Sequence, residues 1–271
     1  MNVAQILSTA TTKLKAADIT TARLDAQLLV GDELDHDKSW LLAHPDAALT
    51  DLQVTHIQEK LTRRVAHEPM AYIRGKQEFY GREFMLNSQV LIPRPESEAL
   101  IEELAKLQPA GVLVDVGTGS GCLAITAALE WPELEVCGLD ISSEALEIAH
   151  QNAQKLGAKV QFEQHDLLAN FTQSAHFIVA NLPYVAPTWK RSKETNYEPS
   201  LALFAEDEGM ALIKRLISQA ASLLENDGYL LLEADPRQHQ AISQCAKEQG
   251  FLLVQTRGFS LVFQRKQTKD S

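Results

Sequence analysis

From Gly111 onward the chain repeats one unit, a short apolar run, a turn and a helix-patterned stretch, and this alternation constrains the fold more than any other feature. "GVLVDVG" leads into "GCLAITAALE", and "EVCGLDI" leads into "SSEALEIAHQNAQKLG" with a serine cap. "KVQFEQHD" and "HFIVANLPY" are further strands. "GMALIKRLISQAASLLENDG" reads as an amphipathic helix ending at Gly228, followed by the strand "YLLLEA". Alternating units of this kind imply an α/β fold with an open, mostly parallel sheet and helices on both faces. The last piece, "GFLLVQTRGFSLVFQRK", holds two β-like runs around a short turn, so the sheet ends in an antiparallel hairpin, followed by a polar tail from Lys266 to Ser271.

The first 75 residues follow a different period. Val3, Ile6, Leu7 and Leu14 recur at helical spacing, as do Leu24, Leu28 and Leu29. A third stretch opens at a Thr50 or Asp51 cap, carries Leu52, Ile57, Leu61 and Val65, and ends at "HEP", because the residue before a proline avoids the helical region. Two aromatic-rich runs then flank Gly81-Arg82 as a β-hairpin in which Phe79, Tyr80 and Phe84 pack together, and Pro93 and Pro95 stiffen the exit. The domains expected are a helical domain over 1–75, a hairpin linker over 76–93 and an α/β domain over 94–271.

Charge and cysteine content narrow the classes. A net charge of −11 argues against bare nucleic acid as the main partner, because phosphate binding needs clustered Lys and Arg. Three widely spaced cysteines without a CxxC or Cys/His pair suggest neither a disulfide framework nor a metal site. The first twenty residues lack an apolar signal core, and no apolar run approaches the length of a bilayer span. A cytoplasmic chain with no membrane partner and no metal is the expectation.

"VLVDVGTGSGCLAI" places Asp115, Gly117, Gly119 and Gly121 between a strand and a helix, where glycines allow a sharp turn and a close ligand approach. Gly119, Gly121 and Ala124 fit the dinucleotide pattern G-x-G-x-x-A, which short glycine runs meet by chance. The fuller D-x-G-T-G-x-G resembles the cofactor loop of class I S-adenosylmethionine-dependent methyltransferases, a Rossmann-like fold. That resemblance implies cofactor contacts from Asp115 and from the loop Gly117, Thr118, Gly119, Ser120 and Gly121. It further implies a ribose ligand at Asp140 in "CGLDIS", and adenine contacts from Asp166 and Leu167 in "EQHDLL".

The fourth strand ends in Asn181-Leu182-Pro183-Tyr184. A planar nitrogen, whether in an amide or on adenine, is a weak nucleophile because its lone pair is delocalised. Asn181 offers an oxygen to accept one N–H, the Leu182 carbonyl can accept the other, Pro183 stiffens the turn, and Tyr184 offers a face for stacking. Catalysis by such a group is orientation and polarisation rather than general-base chemistry. The motif class [DNS]-x-P-[YFW] resembles amino-methyltransferases of adenine, cytosine or glutamine nitrogens.

"EPMAYIRGKQEFYGREFMLNSQVLIPRPESE", "WLLAHPD", "NLPYV" and "YEPSLALFAEDEGM" together resemble the release factor glutamine methyltransferases, the HemK family, over nearly the whole chain. The resemblance implies methylation of the glutamine amide nitrogen (N5) in the Gly-Gly-Gln tripeptide of class I peptide chain release factors, with S-adenosylmethionine as donor. Asn181, Leu182, Pro183 and Tyr184 would hold the glutamine, Asn181 also lying at the donor, and the N-terminal helices would dock the release factor. The chain departs from the family's N-P-P-Y at Leu182, which keeps the backbone carbonyl that the position needs, and at Leu167, where an aromatic is common. Two rivals remain at this stage: a ribosomal-protein glutamine methyltransferase, and an rRNA or DNA adenine N6-methyltransferase, since rRNA dimethylases carry N-L-P-Y. Arg94 and Glu98 can be read as a surface ion pair, or their segment as lining the cofactor mouth.

Overall fold

The computed structural model describes residues 1–266; of the polar tail, residues 267–271 lie outside the described residues. The chain divides into two compact units: Met1–Lys76 with Ser192–Tyr197, and Gln77–Arg191 with the chain from Glu198 onward.

The first unit is helical, with helices at Val3–Ala16, Ala22–Leu34, Lys38–Ala43, Asp51–Val65 and Met70–Arg74. Asn2 and Thr50 start two of them through reciprocal caps with Gln5 and Gln53, which satisfy backbone N–H groups that have no intrahelical acceptor. Ala10, Leu14, Ala26, Leu29 and Leu61 close the core. Leu24 and Leu52, counted on apolar faces in the sequence, are exposed. In the second helix the inward position beside Leu24 belongs to Asp25, whose carboxylate meets buried Arg64 at 2.7 Å. Leu52 sits five positions from Ile57, about 140° around the helix from the buried stripe at 100° per residue. Within this unit Glu194 also reaches Arg64 at 2.7 Å, and the Tyr197 hydroxyl donates to the Ala66 carbonyl.

The second unit begins with the hairpin of β1 (Lys76–Phe79) and β2 (Arg82–Met85). Phe79 and Phe84 are buried edge to face and join the core formed by Leu100, Leu104 and Leu113. The main sheet uses β3 (Val112–Val116), β4 (Glu135–Asp140), β5 (Gln161–Gln164), β6 (Ala175–Ala180), β7 (Leu224–Glu233), β8 (Phe251–Arg257) and β9 (Ser260–Arg265). Their order is β5-β4-β3-β6-β7-β9-β8. The pairs from β5 through β7 are parallel, and β9 runs antiparallel between β7 and β8. Side chains alternate across the sheet: Val114, Ile178 and Leu230 feed the core on one face, and Leu113, Val179 and Leu231 the core on the other.

One boundary differs from the sequence reading. The helix Ala211–Leu223 stops before Gly228, and β7 begins at Leu224, which is buried and pairs with Ala175. Burial of Leu224 against the sheet outweighs the helical pattern of the letters around it. The parallel order reverses direction between β3 and β6, which opens a crevice beyond the carboxyl ends of the strands, where open α/β sheets bind ligands.

Candidate functional site

The glycine loop rises from the end of β3 and is fixed from below. The backbone N–H groups of Gly117 and Thr118 both donate to the Leu139 carbonyl, at 2.8 and 2.9 Å. Gly117, Gly119 and Gly121 all have positive φ, a region closed to most side chains. Asn152, fully buried on the helix Ser143–Leu156, ties the loop to the hairpin: its amide donates to the Ser120 and Met85 carbonyls and accepts from the Met85 N–H. Asn152→Ala strands these backbone groups, and we expect a loss of about 2 kcal/mol in chemical denaturation together with weaker binding of the ligand held by the loop. Unchanged stability and binding would show that Asn152 is not a brace.

A cavity of about 510 Å³ lies against this loop, within the second unit. Gly117, Thr118, Gly119 and Ser120 form one wall. Asp140 lines it from the end of β4, its carboxylate accepting from Gly119 N and Ser142 N at 2.9 Å each, and burial pushes the carboxyl up. Asp166 and Leu167 line it beyond β5, Asp166 paired with Arg215 at 2.7 Å and Leu167 held in the left-handed region at φ 56°. Asn181, Leu182 and Pro183 line it from the end of β6. Four successive strand ends thus deliver ligand-facing groups to one crevice.

Three residues assigned to the site from sequence sit behind it. Asp115 is fully buried; its Oδ2 accepts from the Thr118 hydroxyl at 2.6 Å and Ala124 N at 3.2 Å, and burial raises its pKa to about 7. It braces the loop from the protein side. A Cβ on Gly121 would meet Ile125 Cδ1 at 2.7 Å and Ala149 Cβ at 3.2 Å, so Gly121 serves helix packing. Tyr184 is not among the cavity-lining residues, and its hydroxyl donates to Glu233 Oε1 at 3.1 Å.

Leu182 turns its side chain into the main core, where it is buried and approaches Gly117 so closely that a Cβ there would stand 2.9 Å from Leu182 Cδ2. The segment after Tyr184 leaves and returns at a closed stem, with Val185 N donating to Leu203 O and Ala205 N to Val185 O. On its return Pro199, Leu201 and Ala202 line the cavity. Arg94 does not pair with Glu98. Its guanidinium meets Glu198 Oε1 at 2.5 Å, while Glu98 accepts from Tyr80 N at 2.8 Å. Gln89, Leu91 and Pro93 of the same stretch line the cavity, the alternative considered for it.

Sequence reasoning missed two polar residues beside Asn181. Ser97 and Glu233 are buried, and Ser97 Oγ stands 2.9 Å from Asn181 Nδ2 and 2.6 Å from Glu233 Oε2. A signal existed for Glu233, an acid closing the apolar run "YLLLE" at a fifth strand end. His165, which no motif in the sequence marks, also lines the cavity.

Strand order, glycine loop and polar strand ends define a class I methyltransferase. The PrmC N-terminal domain family matches residues 5–75 and the methyltransferase small domain family residues 95–197. A release factor glutamine methyltransferase from Koribacter versatilis is 41% identical over 249 residues, 87% of this chain and 89% of that protein. A bifunctional methyltransferase from Rickettsia conorii is 33% identical over 283 residues, covering 92% of this chain, which spans 54% of that longer protein. A methyltransferase structure from Pyrococcus furiosus superposes with a TM-score of 0.55 at 15% identity, over 80% of this chain and all of the other, and shares the fold. The chain belongs to the release factor glutamine methyltransferase family.

Proposed function

We propose that the protein transfers a methyl group from S-adenosylmethionine to the side-chain amide nitrogen of the glutamine in the Gly-Gly-Gln tripeptide of class I peptide chain release factors. The observation that carries this reading is the Asn181 amide. Its nitrogen is hydrogen-bonded inward to Ser97, which leaves the amide oxygen to accept an N–H at the cavity wall. The activity for which the Koribacter versatilis relative is named agrees with that chemistry.

The cavity fits the donor. The glycine backbone leaves room for a close approach, since among the described residues a Cβ at Gly119 would meet nothing nearer than the Gly117 carbonyl at 4.0 Å. Asp140 supplies a carboxylate for hydroxyl donors, Asp166 an acceptor for an exocyclic amine, and Leu167 an apolar surface for a ring. Asp115 and Gly121 contribute by holding the loop. When bound, S-adenosylmethionine supplies an electrophilic methyl on a sulfonium centre.

Asn181 Oδ1 and the Leu182 carbonyl accept the two N–H bonds of the glutamine amide, fixing its plane and directing the nitrogen at the methyl. Those acceptors draw charge toward the nitrogen as it pyramidalises, and the fixed geometry removes the orientational cost of the encounter. With the donor bound, the N–C bond would form as the donor's C–S bond breaks. The nitrogen, now acidic, releases its proton to water, so no protein base is needed. Pro183 limits the turn that aims the Leu182 carbonyl. The helical unit docks the release factor in this reading, over residues 1–75, with the hairpin 76–93 joining it to the catalytic domain 94–271. No helix among the described residues is long and apolar enough to cross a membrane, and the reading places the protein in the cytoplasm, without metal or direct nucleic-acid contact.

Incubation with labelled donor and a purified release factor should label that factor and leave both its tripeptide Gln→Ala variant and rRNA unlabelled. Label on RNA, or retained on the Gln→Ala variant, sinks the proposal.

A further inference from the structure

Three segments far apart in sequence meet in one hydrogen-bonded chain that starts at the cavity wall, lined by Asn181 and Ser97, and runs behind it to Glu233 and Tyr184. Tyr184 OH donates to Glu233 Oε1 at 3.1 Å, Ser97 Oγ donates to Glu233 Oε2 at 2.6 Å, and Asn181 Nδ2 donates to Ser97 Oγ at 2.9 Å. Ser97 and Glu233 are each 2% exposed, so the bond between them is shielded from bulk water.

The direction of the chain follows from valence. A carboxylate only accepts, and a serine hydroxyl has one proton to give. With that proton committed to Glu233, Ser97 presents only lone pairs to Asn181. The Asn181 amide can meet them with its NH2 end alone; rotated by half a turn, it would set its oxygen against the Ser97 oxygen across 2.9 Å. We infer that Ser97 and Glu233 are positioning residues which lock the rotamer of the Asn181 amide, so that its oxygen, and not its nitrogen, faces the acceptor amide. Tyr184 belongs to the same device, holding the second oxygen of Glu233. The inference rests on the reading that Asn181 Oδ1 accepts from the nitrogen to be methylated.

The test compares Ser97→Ala, Ser97→Thr, Glu233→Gln, Asn181→Ala and the double variant Ser97→Ala/Asn181→Ala in the full chain, with release factor as substrate. Ser97→Ala removes the lock, and kcat should fall about tenfold or more, as small misplacements of reacting groups do, with donor affinity within about twofold. Ser97→Thr keeps the hydroxyl and should restore most of the rate. Glu233→Gln can donate to Ser97, which frees the serine proton and permits the reversed amide, so kcat should fall comparably. The double variant should be no slower than Asn181→Ala, because Ser97 acts only through that amide. If Ser97→Ala turns over normally while Asn181→Ala is slow, or if the two losses multiply in the double variant, the positioning role is overturned and the reading of Asn181 stands. Normal turnover in Asn181→Ala would overturn that reading itself.

Discussion

Asn181→Ala is expected to lose turnover by about two orders of magnitude or more while binding the donor with unchanged affinity. In the proposed reading the substitution deletes one of two acceptors for the glutamine amide and spares the glycine loop, Asp140 and Asp166. Among the described residues Asn181 Nδ2 bonds only to Ser97, a short side chain on a neighbouring turn, so the fold loses little. Calorimetric titration with the demethylated donor product and single-turnover rates separate the two effects. A parallel loss of both would place Asn181 in donor binding alone.

Gly209→Ala is expected to have the largest effect on stability. Gly209 has φ +82°, and a Cβ there would lie 2.0 Å from the Tyr184 carbonyl oxygen and 2.6 Å from Gln238 Nε2. Neither neighbour is free to move. Gln238 is buried and donates to both the Tyr184 and Glu208 carbonyls, at 2.9 Å each. Asp207 and Glu208, just before it, already occupy the left-handed region. The new methyl must push the backbone of Tyr184, immediately after the Asn181–Pro183 wall. We expect a loss of about 3 kcal/mol in denaturant unfolding, together with reduced turnover. Gly157→Ala is the control: its φ is +71° with nothing among the described residues within 4 Å of the added Cβ, so it reports the conformational cost alone, about 1 kcal/mol. Equal losses in the two variants would mean that the close approach to Tyr184 is unimportant.

Much of this architecture is legible in the letters because it rests on local physics. Alternating apolar runs and amphipathic stretches need only their own neighbours to signal β3 through β7, and Thr50 and Ser142 cap helices with bonds to backbone three residues on. The positions that sequence reasoning missed or misplaced depend on distant chain. Ser97 and Glu233 are separated by 136 residues and Met85 and Asn152 by 67, and no periodicity brings either pair together. Asp115 reads like Asp140, an acid near the end of an apolar run. One is fully buried under the loop while the other reaches the cavity, and only the packed turn separates them. Arg94 has an acid four residues away in sequence, yet it selects Glu198, brought back by the closed stem at Val185. Leu182 is clearer in the structure than in the sequence. Its side chain fills core against Gly117, a contact that the letters N-L-P-Y do not signal.

The most direct measurement is fragment mapping by mass spectrometry of a release factor methylated by this protein, read to the level of the modified atom. The account predicts one methyl, on the side-chain amide nitrogen of the Gly-Gly-Gln glutamine, formed by the wild-type chain and lost with Asn181→Ala. A methyl on a backbone nitrogen, on a different side chain, or on that glutamine at undiminished rate from Asn181→Ala would contradict it.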